Sequence, residues 1–407
     1  MEKQELLQAL ERNIAWFENS GIMLPADGSW GVAERIFCVG DAELRKRVHQ
    51  SFGAFTEYGR YSVIEARRAD CNFEAALMYL LAGRVENSGK WRRTAENLLA
   101  FLYNRSGLLN RGAMGGDAPL EAWNWSHPAW MKNLWFDDNS WALTIPILIS
   151  RVDKELAERF EMRRHAAGLA EVLSEAFSRA FHSDKAINPD CYDPDGVWKG
   201  RPFLPHWGGL VCMSLSLAAS EGLLAADKQG IIWEYHQFLK EKIDTFNASE
   251  LAYALMSSCV GATAFTDGIY REVADLAAER IFRRMQPSGN IPAEHYEAPT
   301  GPNLVDTIYT VNWMLLALQN YMVLRPTAEN KARFEKVMHL VCSIQDDSDD
   351  VVFKGCWRGM YDLETKSWGG GDCYEGGSGS IYSGWTNAPI SIAICGALLN
   401  KNVFMEK

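Results

Sequence analysis

What the chain lacks narrows it first. It has no basic excess: 41 Lys and Arg stand against 52 Asp and Glu, for a net charge of −11. A nucleic-acid partner, which usually selects a basic footprint, is therefore not expected. No run is long and apolar enough to span a bilayer, so no membrane partner is expected either. The nine cysteines form no CxxC pair, their number is odd, and several lie inside apolar runs. That pattern fits reduced, buried thiols rather than a disulfide framework. The first residues, Met1-Glu2-Lys3-Gln4-Glu5-Leu6-Leu7, read as an amphipathic helix with neither a basic nor an apolar leader segment. The expectation is a cytoplasmic protein, unless a leader has been removed. No linker, low-complexity run or composition break divides the chain, which predicts one domain over 1–407. Credible strands are almost absent.

Helices take their place. Periodicity, caps and breakers predict twelve, near 3–20, 62–83, 87–105, 138–151, 155–181, 208–223, 227–246, 248–264, 268–286, 304–324, 327–346 and 385–400. They alternate in character. The first, third, fifth, seventh, ninth and eleventh are amphipathic, with Lys, Arg and Glu on one face. The others are apolar or small throughout, as in Val211-Cys212-Met213-Ser214-Leu215 and Ile390-Ser391-Ile392-Ala393-Ile394. A helix apolar all round is buried on all sides. Six such helices alternating with six half-exposed ones predict an all-α fold, the (α/α)6 barrel. Connections leaving the apolar helices are mostly short and those entering them mostly long (21–61, 106–137, 182–207, 287–303, 347–384). All the long loops then fall on one rim, and loops of that length are usually functional.

That rim is rich in Trp. The chain has 15, and Trp30, Trp123, Trp125, Trp130, Trp135, Trp198, Trp207, Trp357, Trp368 and Trp385 fall in predicted loops. Some will cap the core, but such a cluster suits flat, partly apolar ligands such as sugars.

The sharpest motif is Trp135-Phe136-Asp137-Asp138-Asn139-Ser140-Trp141, two adjacent carboxylates among aromatics at the start of an apolar helix. Glycosidic cleavage needs one protonated and one ionised carboxyl, and two close carboxylates push one pKa up. Asp is also a favoured helix cap, so Asp138 is read as the acid/base and Asp137 as its partner or the cap. Trp135 and Trp141 are candidate sugar platforms.

The alternation and this motif resemble the six-hairpin glycosidase superfamily. The Asp-Asp segment is similar to that of endo-α-1,6-mannanases, where the resemblance implies a nucleophile and an acid/base. Asp70-Cys71-Asn72-Phe73-Glu74-Ala75-Ala76 loosely resembles the first inner helix of unsaturated glucuronyl hydrolases, implying that Asp70 and an Asp on the next inner helix flank the sugar.

Further candidates lie on the predicted rim. Asp70 can supply a second carboxylate, with Arg67 available to an acidic sugar. Alternatively, Glu65, Arg67, Arg68 and Asp70 form only a local ion-pair cluster. Pro292-Ala293-Glu294-His295-Tyr296-Glu297 offers Glu294 as a carboxylate and His295 as a substrate contact, without the spacing of a helical metal site. Asp306 is as easily a helix cap. His206 can carry a proton or bind a hydroxyl beside Trp207. The glycine-rich 369–380 has neither a P-loop Lys nor a preceding strand, and leads to Trp385 and Asn387, read as sugar-stacking and hydroxyl-binding residues. No metal and no cofactor are expected.

The leading expectation is a glycoside hydrolase acting on short oligosaccharides or glycosides. The alternatives are a sugar epimerase of the N-acylglucosamine 2-epimerase type, working through His127, His206 or His295, and a carbohydrate-binding protein without chemistry. Neither the sugar nor the oligomeric state is specified.

Overall fold

Helices buried on every face alternate along the chain with helices buried on one. The computed structural model describes residues 3–38, 42–52, 54–112, 120–127, 133–183, 196–294, 301–369 and 379–406. In order, the helices are α1 (Lys3–Asn19), α2 (Ala42–Phe52), α3 (Ala69–Val85), α4 (Gly89–Asn104), α5 (Phe136–Val152), α6 (Lys154–Arg159), α7 (Met162–His182), α8 (Pro205–Ser220), α9 (Gly230–Lys242), α10 (Ala248–Ala264), α11 (Gly268–Arg284), α12 (Val311–Leu324), α13 (Ala328–Ser343) and α14 (Ala388–Leu399).

The apolar helices form a closed ring. Helix α3 packs on α5, α5 on α8, α8 on α10, α10 on α12, α12 on α14, and α14 back on α3. Each is buried along nearly its whole length, as α10 is from Ala248 to Ala262. The amphipathic helices make the outer layer, α4 on α3, α7 on α5, α9 on α8, α11 on α10, α13 on α12 and α1 on α14. In α1 the buried positions Leu6, Ala9, Leu10, Asn13, Ile14 and Phe17 recur at helical spacing, so one stripe faces the ring and the charged face meets solvent. This is the (α/α)6 barrel that the alternation predicts. Among the described residues no helix is long and apolar enough to cross a membrane, and the described cysteines are unpaired.

Three features differ from the sequence expectation. The segment 155–181 is two helices, because Glu161 takes a left-handed conformation (φ 49°) between them. Helix α2 falls inside the expected loop 21–61. Short strands also exist. Arg35–Phe37 pairs antiparallel with Ser380–Tyr382 on one side and with Ser62–Ile64 on the other, and Ser62–Ile64 pairs with Phe55–Glu57. Leu304–Asp306 joins Met360–Asp362 and Ser367–Trp368. Arg67–Arg68 pairs with Ser126–His127, and Leu134–Trp135 runs parallel to Trp198–Lys199. These strands take the first residues of two expected helices, so α3 starts at Ala69 and α12 at Val311. Asp306 does not cap α12, whose cap position is Thr310; its carboxylate instead accepts the N–H groups of Ile308 and Tyr309 and the Thr310 hydroxyl in the turn before the helix.

Candidate active site

Strands lead directly into α3 and α5, and short strands lie within five residues ahead of α8, α12 and α14. The N-terminal ends of these helices surround a cavity of about 230 Å³. Arg68 enters it from the start of α3, Trp135, Asp137 and Asp138 from α5, and His206 and Trp207 from α8. Ile308 and Tyr309 line it ahead of α12, Tyr382 and Trp385 ahead of α14, and Trp125 from the turn before Ser126.

Arg68 is the hub. Its Nη2 lies 2.7 Å from Asp138 Oδ1 and 2.9 Å from Asp70 Oδ2, and its Nη1 lies 3.0 Å from Glu34 Oε1. All four side chains are buried. Burial opposes the Arg68 charge, but Asp138, Asp70 and Glu34 more than offset it and hold its pKa well above the usual arginine value. One guanidinium cannot neutralise every carboxylate here. Burial, followed by the charges of Asp70 and Asp137, pushes the Asp138 carboxyl well above the usual range despite Arg68.

Asp137 goes the other way. Burial alone would raise it, but His206, Arg68 and the Asp138 backbone N–H together hold it below the usual range. His206 Nε2 donates to Asp137 Oδ2 at 3.1 Å, and Asp137 Oδ1 has no protein partner among the described residues. The imidazole is sandwiched by the rings of Trp207 (4.4 Å) and Tyr253 (5.0 Å). The backbone N–H of His206 is anchored on Glu250 Oε2 at 2.7 Å. Two adjacent carboxyls, one pushed up and one held down, thus face one aromatic cavity.

The remaining sequence candidates divide. Trp135, His206, Trp207 and Trp385 line the cavity, whereas Asp70 sits just behind it, bridging Arg68 and the Trp385 indole N–H (2.6 Å). Asp137 does not cap α5, because the cap position is Trp135 and Asp137 is committed to His206. Trp141 is a core residue, 1% exposed and stacked on Trp313 at 5.1 Å. Asn387 is fully buried in backbone contacts with Trp357 and Tyr382. Arg67 points away to Trp30 O and Glu65. Glu294 lies off the cavity, accepting from Arg284 Nε at 3.0 Å and the Ala248 N–H. His295 and Trp130 lie outside the described residues, as does most of the glycine-rich segment. His127 is tied to Ser106 O at 2.7 Å and does not line the cavity. Among the described residues no group of three or more His, Cys, Asp or Glu is placed to hold a metal.

Sequence reasoning missed Arg68 as the hub, together with Glu34, Tyr309, Tyr382 and Glu250. Arg68 was in view beside Arg67, but nothing in the sequence says which of two neighbouring arginines faces inward.

No protein-family model matches the chain, and no curated protein matches it by sequence. Solved structures do share its fold. A sugar epimerase from a ruminal bacterium superposes with a TM-score of 0.63 at 9% identity, covering 98% of this chain and 99% of that one. An unsaturated glucuronyl hydrolase from a Bacillus species gives 0.61 at 14% identity, covering 98% and 96%. An inactive variant of an α-1,6-mannanase from a Salegentibacter species, in complex with α-1,6-mannotetrose, gives 0.56 at 10% identity, covering 98% and 100%. These likenesses show that the chain shares the barrel fold of those structures.

Proposed function

We propose that this chain is a glycoside hydrolase of short oligosaccharides, with Asp138 as general acid and Asp137 as its ionised partner. The observation that carries this reading is the placement of the two aspartates in one cavity, Asp138 on Arg68 beside Asp70 and Asp137 on His206, surroundings that push the first carboxyl up and hold the second down. Carboxyl pairs driven apart in this way supply the acid and the base, or nucleophile, of glycosidic cleavage. Asp138 Oδ1 is occupied by Arg68, which leaves Oδ2 to carry the proton for the leaving oxygen. Asp137 Oδ1, buried and without a hydrogen-bond partner among the described residues, is the oxygen not committed to His206, and the one that would face a water or the anomeric carbon once a sugar opens the site. The indoles of Trp125, Trp135, Trp207 and Trp385 give the sugar apolar faces to stack on. The mixture of hydrolases and epimerases among the similar folds supports a carbohydrate-active enzyme without choosing between them.

The test is hydrolysis of a panel of mannosides, uronides and other glycosides by the wild type, Asp138→Asn and Asp137→Asn. Each variant should lose roughly 10²–10⁴-fold in kcat. Asp138→Asn should recover much of that loss on aryl glycosides whose leaving group needs no proton. Full hydrolysis by both variants would sink the assignment.

A sugar epimerase is the second reading, favoured by one observation: His206 sits in the cavity oriented by Asp137. Moving a proton at a sugar carbon in deuterated water would leave deuterium in the recovered sugar, whereas hydrolysis leaves the carbon-bound hydrogens in place.

A further inference from the structure

Trp385 enters the cavity with φ 40° and ψ −35°, a positive-φ conformation that bulky side chains rarely adopt. Such a conformation persists only where the surroundings over-determine it, and here three contacts do. The backbone N–H donates to Glu74 Oε2 at 2.9 Å, the carbonyl accepts from Asn312 Nδ2, and the indole N–H donates to Asp70 Oδ2. Asp70 and Glu74 lie four residues apart on α3, one above the other on the same face. They therefore grip the same residue by its side chain and its backbone. The preceding Gly384 makes the approach possible: a Cβ there would stand 2.5 Å from Glu74 Oε2 and 2.7 Å from Cys71 Cα.

Glu74 otherwise has no evident reason to be a carboxylic acid. It is 1% exposed, does not line the cavity, and its Oε1 has no partner among the described residues. Burying such a group costs stability unless its hydrogen bonds are needed, and its hydrogen bond among the described residues goes to Trp385. The indole it supports lines the cavity beside the partners of the two aspartates, 5.2 Å from the His206 ring and 5.5 Å from the Arg68 guanidinium.

We infer that Glu74 is a positioning residue, which clamps the backbone of Trp385 so that the indole forms the floor of the sugar subsite. The inference rests on the hydrolase reading for its sugar. Burial and then the Asp70 charge push the Glu74 carboxyl well above the usual range, so a neutral amide of the same shape should substitute for it.

The test compares Glu74→Leu, Glu74→Gln and the milder Glu74→Asp, which is one methylene too short to reach Trp385. The probe is a 4-nitrophenyl glycoside that the wild type hydrolyses. Glu74→Leu and Glu74→Asp should raise KM about tenfold, as loss of one buried hydrogen bond does, with kcat changed less than about threefold. Glu74→Gln should restore most of the loss. A crystal structure of Glu74→Asp should show Trp385 relaxed to negative φ. An unchanged KM in Glu74→Asp, a Gln variant as impaired as Leu, or a Trp385 still at positive φ in Glu74→Asp would each overturn the clamp. If the wild type hydrolyses no glycoside, the functional reading fails, and the Trp385 backbone in Glu74→Asp still decides the clamp.

Discussion

Arg68 stands one residue ahead of α3 and Asp138 in the first turn of α5, yet Arg68 Nη2 and Asp138 Oδ1 are 2.7 Å apart. One guanidinium therefore ties together the starts of two neighbouring inner helices, and the same nitrogen also holds Asp70. Geometry and charge are set by one group: Arg68 orients the proposed acid without carrying enough charge to ionise every carboxyl around it.

Removing that group should be expensive. Arg68→Met leaves Asp138, Asp70 and Glu34 without their common counter-charge, and breaking a buried ionic network from one side costs about 3–5 kcal/mol. Arg68→Lys keeps a charge but loses the planar fork, so its stability should fall between Met and wild type while activity stays low. Urea unfolding and steady-state kinetics on the same samples check both expectations.

The pH profile should carry two separable limbs. In the proposed mechanism activity needs Asp137 ionised and Asp138 protonated, so it should fall on the acid side as Asp137 gains a proton and on the basic side as Asp138 loses one. His206 is a principal reason that Asp137 is held low. His206→Phe should move the acid limb of kcat/KM upward in pH and leave the basic limb in place. An acid limb that does not move would show that something other than His206 sets the ionisation of Asp137.

Glu250 should appear in stability. Burial pushes its carboxyl up to about 6, with His206 offsetting only part of the shift. A carboxyl raised in the folded state contributes stability that is fully present below its unfolded value, near 4.5, and is lost as pH rises through about 6. That loss is about 2 kcal/mol. Glu250→Gln removes the titration, so the thermal midpoint of the variant should fall less than that of the wild type across this interval.

Glu294 is the counter-case. Its pairing with Arg284 is partly exposed, at 35% and 30%, and such pairs contribute roughly 0–1 kcal/mol. Glu294→Ala should leave kcat/KM within about twofold of wild type and move the urea midpoint only slightly. Asn387→Ala should instead cost about 1–3 kcal/mol by stranding the Trp357 N–H and the Asn13 amide.

The barrel is legible in the sequence because its two layers differ in chemistry. A helix such as α10 has no charged face to turn outward, whereas α1 has one, and that contrast survives in a linear string. The Asp137-Asp138 pair is legible for the same reason, since carboxylates stand out beside an apolar helix. The arginine choice is not legible. Arg67 and Arg68 lie on a two-residue strand, where successive side chains point to opposite faces, and the register against Ser126–His127 decides which one meets Asp138. Trp141 misleads because it lies about one helical turn deeper along α5 than Asp138, where it stacks on Trp313, and Asn387 because its amide turns back onto the backbone of Trp357 and Tyr382. Glu74 is hidden inside an apolar helix, where its role depends on a segment 311 residues further along.

The pairing of Arg35–Phe37 with Ser380–Tyr382, and of α3 with α14, has a consequence for biosynthesis. The ring is shut by contacts between its earliest and latest inner members, and the proposed site draws on Glu34 at one extreme and Trp385 at the other. Until α14 leaves the ribosome, the nascent chain can form only an open arc with bare greasy edges at both ends. Such an intermediate invites chaperone capture or aggregation. Ribosome-stalled chains ending near residue 380 should accordingly remain protease-sensitive and lack a finished cavity, however well their early helices have formed.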